Sequence, residues 1–151
     1  MRLVLLAWVV GICLSGPAVA QTPAQICQRS RTDDTTRPIP PASVPAVNRL
    51  FGTQLPAEVA VATTVYRCLD GHVLVCTAGA NLPCGKADTS RTSAGASEWC
   101  RGNPNADAVP AYATGHDTIY RWQCRDGAAV IVGQTSAVDP RGFIAAYWKR
   151  L

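Results

Sequence analysis

The chain has 151 residues, seven cysteines, and 14 Lys and Arg against 10 Asp and Glu, for a net charge of +4. One domain's worth of chain is present. The cations are nearly all Arg and are scattered, which excludes the clustered basic stripe of a nucleic-acid binder.

Residues 1–20 read as a cleavable export signal. Arg2 gives the positive start, residues 3–14 are almost unbroken apolar chain, Ser15-Gly16-Pro17 ends the run, and Ala18-Val19-Ala20 is a small-x-small cleavage site before Gln21. The run is too short to cross a bilayer core of about 30 Å, and no second apolar stretch follows, so no membrane span is expected after cleavage. Cleavage removes Arg2 and Cys13, leaving 131 residues with a charge of +3 and six cysteines: Cys27, Cys68, Cys76, Cys84, Cys100 and Cys124. An even number in an exported chain reads as three disulfides with all fifteen pairings open, and places the protein in the periplasm or outside the cell. There is no Cys-x-x-Cys pair to suggest zinc, so no metal site is expected.

Residues 21–45, with Pro38, Pro40, Pro41 and Pro45, predict an extended arm held down only if Cys27 finds a partner. The sequence "SVPAVNRLFG" predicts a short helix, with Ser43 as cap, Pro45 in the first turn and Gly52 as stop. Its apolar face is Val47, Leu50 and Phe51. Residues 46–151 then read as a single disulfide-stapled β-rich domain.

The run "VAVATTVYRC" is rich in β-branched residues and predicts strand from about Val59. It leads into "YRCLDG", a phrase that returns as "YRWQCRDG" from Tyr120. Asp-Gly supplies the two positive-φ positions of a type I′ hairpin. Turns centred on Asp70-Gly71 and Asp126-Gly127 pair Cys68 with Val73, Tyr66 with Val75, Cys124 with Ala129, Trp122 with Ile131 and Tyr120 with Gly133. Each hairpin thereby presents an aromatic and a half-cystine on one face. The expected fold is mainly β, with a small α+β domain as the alternative: two similar Asp-Gly hairpins packed together, a short N-terminal helix and a long stapled loop.

That loop is residues 77–118, rich in Gly, Ser, Thr, Asn and Pro, and a loop of such length needs a function or a staple. A Cys84–Cys100 bond is the expected staple, with a helical turn around Trp99. After the second hairpin, Asp139-Pro140-Arg141-Gly142 suits a type I turn. "FIAAYWKRL" follows as a last strand closing the sheet or, from the spacing of Phe143 and Tyr147, a helix.

For chemistry, every mature cysteine has a structural use and no Gly-x-Ser-x-Gly elbow exists. His116 lies beside Asp117 in a loop, and Glu98, Asp107 and Asp117 are its nearest candidate carboxylates. No spacing makes any of them an acid/base pair, so no catalytic residue is assigned. No Gly-rich phosphate cradle is present and no cofactor is expected. Trp99, Tyr112 and Trp148 have polar neighbours and are candidate exposed aromatics for binding, with His116 beside them. Tyr66, Tyr120 and Trp122 are candidate core. The leading expectation is a non-enzymatic binder of a protein or cell-envelope polymer. A wall-polymer hydrolase using His116, and a structural envelope protein, are the alternatives.

The segments "YRCLDGHVLVCTAGANLPC", "WCRGNP", "TGHDTIYRWQC" and "VDPRGFIAAYW" together resemble a group of small exported six-cysteine bacterial proteins of uncharacterised function. The resemblance covers about residues 65–151 and implies a shared cysteine framework. The Tyr-x-Cys strand opening and the Ser/Gly-rich "TSAGAS" loop are also similar to periplasmic lysozyme inhibitors of the small β-barrel kind. That family's Ser-x-Ser-Gly-x-Arg-Tyr loop is not present, so the likeness implies no site residue here and adds a lysozyme inhibitor to the alternative functions.

Overall fold

The computed structural model describes residues 20–151; the expected export signal, residues 1–20, lies outside the described residues save for its last position. Those described form an α+β fold with three disulfides.

Residues 21–45 are part of the folded body and not an arm. Thr22 and Gln25 close a capping box, satisfying the first free N–H groups, and Pro23 sits in the first turn of helix α1, Pro23–Ser30. Cys27 on α1 is fully buried and bonded to Cys68. Strand β1, Asp33–Pro38, then pairs antiparallel with β2, Thr64–Leu69. Proline is accommodated because β1 is an edge strand and Pro38 is its last residue. Ile39 and Val44 from this segment are core residues.

Helix α2, Val44–Phe51, forms as its sequence predicts and stops at Gly52, whose φ of 68° is the left-handed cap that glycine tolerates. Ser43 makes no side-chain cap bond. Asn48 folds the following chain back by bonding Leu55 through both its backbone N–H and C=O. Residues 59–63, expected as strand, belong to helix α3, Ala57–Thr63. Pro56 starts it, Glu58 suits its first turn, and the alternating alanines favour helix enough to outweigh the valines between them. Strand begins only at Thr64.

The hairpin of β2 with β3, His72–Thr77, has the expected register, Cys68 opposite Val73 and Tyr66 opposite Val75. Asp70 and Gly71 have φ of 51° and 81°, and Asp126 and Gly127 have 50° and 81°, so both turns are left-handed at both central positions. In the second hairpin, β4 (Tyr120–Arg125) with β5 (Ala128–Gln134), Cys124 faces Ala129 and Trp122 faces Ile131. A bulge beside Trp122 then sets Tyr120 opposite Gln134 and not Gly133.

The hairpins do not share a sheet or a core. One sheet runs β1-β2-β3-β6, the other is β4-β5 alone. Instead each hairpin packs on its own helix. The long loop contains that second helix, α4, Ala94–Gly102, and a short one, α5, Ala111–Thr114. Cys100 on α4 bonds Cys124, and Cys76 bonds Cys84, so the expected Cys84–Cys100 bond is not formed. The reason is a repeated arrangement of helix and hairpin. The carbonyl of Arg31, four residues after Cys27, accepts from the turn Gly71 N–H at 2.7 Å; the carbonyl of Pro104, four after Cys100, accepts from Gly127 N–H at 2.9 Å. One residue on, Thr32 Oγ1 accepts from Asp70 N–H and Asn105 Oδ1 from Asp126 N–H, both at 3.1 Å. The repeated unit is therefore a half-cystine helix, its C-terminal turn and an Asp-Gly hairpin, joined by a disulfide.

The turn at Asp139–Gly142 forms, with Gly142 N–H bonded to the Asp139 carbonyl. After it the chain is neither a long strand nor an α-helix. Phe143 and Ile144 are both buried, a 3-10 turn covers Ala145–Tyr147, and only β6, Lys149–Arg150, joins the sheet beside β3. Phe143 and Trp148 stack edge to face, with the guanidinium of fully buried Arg67 lying 4.1 Å and 4.6 Å from their ring centroids. Arg67 pairs with Asp139, whose other oxygen accepts from the N–H groups of Arg141 and Phe143.

Candidate functional site

Two hollows share Tyr147 as a wall. The larger is an apolar groove of about 520 Å³, within the roughly 300–1,000 Å³ typical of ligand sites. Phe51 closes α2 at one end, the Asn48 bonds hold Leu55 in place, and Val59 projects from α3 one helical turn further on. The opposite wall is the short chain reversal after β3, where Gly79 and Leu82 pair through their backbones under the Cys76–Cys84 bond. Val59 is 39 % exposed and Leu82 41 %, so the groove leaves apolar side chains open to water. Lys149 is the one charged residue in its lining. Its ammonium lies 4.8 Å from the Phe51 ring centroid and 3.4 Å from the Leu50 carbonyl.

The smaller hollow, about 280 Å³, is polar and shallow and is lined by His116, Arg121, Thr118, Thr135, Ser136 and the edges of Tyr120 and Trp122 among others. His116 is exposed there. Of the loop carboxylates, Asp117 follows His116 in the chain, is half-buried and does not line the hollow. Glu98 is ion-paired with Arg101 on α4, and Asp107 is exposed on another part of the loop. Among the described residues, no group of three or more His, Cys, Asp and Glu has metal-holding geometry, and no helix is long and apolar enough to cross a membrane.

The expected binding aromatics do not converge. Trp148 is only 8 % exposed and lies in the core under Arg67, so it offers no face to a partner, contrary to its polar sequence neighbours. Trp99 is half-buried, its Nε1–H donating to the Tyr112 hydroxyl at 2.9 Å, while Tyr112 is 80 % exposed. These two form a separate contact between α4 and α5. The groove is not legible in the sequence, where Phe51 reads as the apolar face of a short helix, Val59 as strand and Leu82 as part of a polar loop. A signal existed in Leu55 and Val59, which stand four apart beside a helix-starting Pro56.

The strongest electrostatic perturbations are elsewhere. Hydrogen bonds from the Thr35 N–H and from Arg37 lower the Asp33 carboxyl to about 2, and Arg141 and Lys86 lower Asp34 likewise to about 2. Asp34 in turn raises the Arg141 guanidinium. Asp34 and Arg141 tie β1 to the 139–142 turn, Asp33 and Arg37 bond within β1, and none of these lines either hollow. Comparisons with family models, curated proteins and solved structures find no match.

Proposed function

We propose that this is an exported, non-enzymatic binding protein, acting in the periplasm or outside the cell, whose binding element is the apolar groove between α2, α3 and the C-terminal segment. The observation that carries this reading is the open apolar wall of Phe51, Leu55, Val59, Leu82 and Tyr147. Apolar surface left in water forgoes about 25 cal/mol for each Å² that a partner would cover. Three disulfides fit the oxidising compartment the reading requires. The partner is thus one with hydrocarbon to bury, which narrows the protein or envelope polymer first expected to molecules bearing an apolar chain or segment.

Fluorescence titration of the mature protein with N-phenyl-1-naphthylamine, a neutral apolar dye, tests it. Saturable binding is expected, weakened about tenfold or more by Leu82→Asp, which sets a charge in the groove wall at an exposed position. No saturable binding, or purified protein that degrades peptidoglycan until His116→Ala abolishes the activity, replaces this reading with the hydrolase.

A further inference from the structure

We infer that the groove takes a single-chain anionic amphiphile of the long-chain carboxylate class, its hydrocarbon between Phe51, Leu55, Val59, Leu82 and Tyr147 and its carboxylate against Lys149. This rests on the binding reading above and adds the identity of the head group. Among the described residues the lining contains no Asp or Glu, and Lys149 is its only formal charge. Threonines 53, 63 and 77 and Tyr147 supply its side-chain hydroxyls. Among the described residues, no carboxylate pairs with Lys149. Its one hydrogen bond, to the Leu50 carbonyl, is 3.4 Å long, beyond the usual 2.7–3.2 Å range. The ammonium therefore has donors to spare at the edge of an apolar trough. A carboxylate there gains a charge-assisted hydrogen bond, whereas a quaternary ammonium head meets a like charge. The volume and the single cation favour one chain with one charge over a two-chain membrane lipid.

Competition against bound naphthylamine dye tests the inference, with laurate, dodecyltrimethylammonium and dodecyl maltoside as probes sharing one chain length. Laurate is expected to displace dye at about tenfold lower concentration than the cationic probe, the worth of one hydrogen bond to a charged group. Lys149→Gln, at an exposed position, removes that preference once displacement is corrected for the variant's own dye affinity, and Lys149→Glu reverses it. Equal displacement by all three heads, or a preference that survives Lys149→Gln, overturns the inference and leaves the binding reading standing. Capture of the protein by anionic phosphatidylglycerol vesicles with no displacement by laurate also overturns it, in favour of a membrane surface. If no dye binds, both readings fall together.

Discussion

At the residue scale, Arg67 is the least expected feature of the molecule. It stands between Tyr66 and Cys68 in a phrase whose period of two would send it to the solvent side of the hairpin. It is instead fully buried, because the C-terminal segment folds over that face and lays Phe143 and Trp148 against the guanidinium. A buried charge of this kind depends on its partner: removing one member leaves the other uncompensated and costs about 3–5 kcal/mol. Asp139→Asn keeps the shape of the turn and removes the counter-charge. It is expected to lower unfolding free energy in urea by about 3 kcal/mol or more, and adding Arg67→Met should recover most of the loss. The same pair explains why Trp148 is core although its sequence neighbours are polar: the guanidinium over its ring belongs to Arg67, 81 positions away, a contact no local pattern carries.

Among the elements, the repeated phrase disclosed more than it was asked. Both turns, their positive φ angles and four of the five cross-strand pairs could be read from "YRCLDG" and "YRWQCRDG", since a type I′ turn fixes register outward from its centre. The rest of the unit escaped notice because 41 residues separate Cys27 from Cys68 but only 24 separate Cys100 from Cys124. Unequal insertions hid a matching pair of helices. The candidate site was less legible still: of the four residues proposed for binding, His116 lines a hollow, Trp99 and Tyr112 bond each other, and Trp148 is core. Helix α4 depends on a close approach at Gly95, where an added Cβ would lie 2.0 Å from the Ala113 carbonyl oxygen on α5. Gly95→Ala is expected to cost about 1–3 kcal/mol, as overpacking does. It should also break the Trp99–Tyr112 bond, visible as altered tryptophan emission, while dye binding in the distant groove stays unchanged.

For the whole molecule, Asp34 is the clasp between the first strand and the last turn. Lys86 and Arg141 both reach it, at 2.9 Å. Its carboxyl titrates lower folded, at about 2, than its ordinary value of 3.8. The stability it contributes is therefore complete above pH 4 and is lost as the pH falls from about 4 towards 2. Asp33 adds in the same window and with the same sign. Thermal melts across that range should show Tm falling for the wild type, and Asp34→Asn should start lower at neutral pH and fall less steeply. The Cys76–Cys84 bond has a further consequence at this scale. It closes a loop spanning only eight positions, and that loop carries one wall of the groove. The bond thereby limits how far that wall can swing from α2 and α3, and losing it alone would free the wall while Cys27–Cys68 and Cys100–Cys124 still hold each helix to its hairpin.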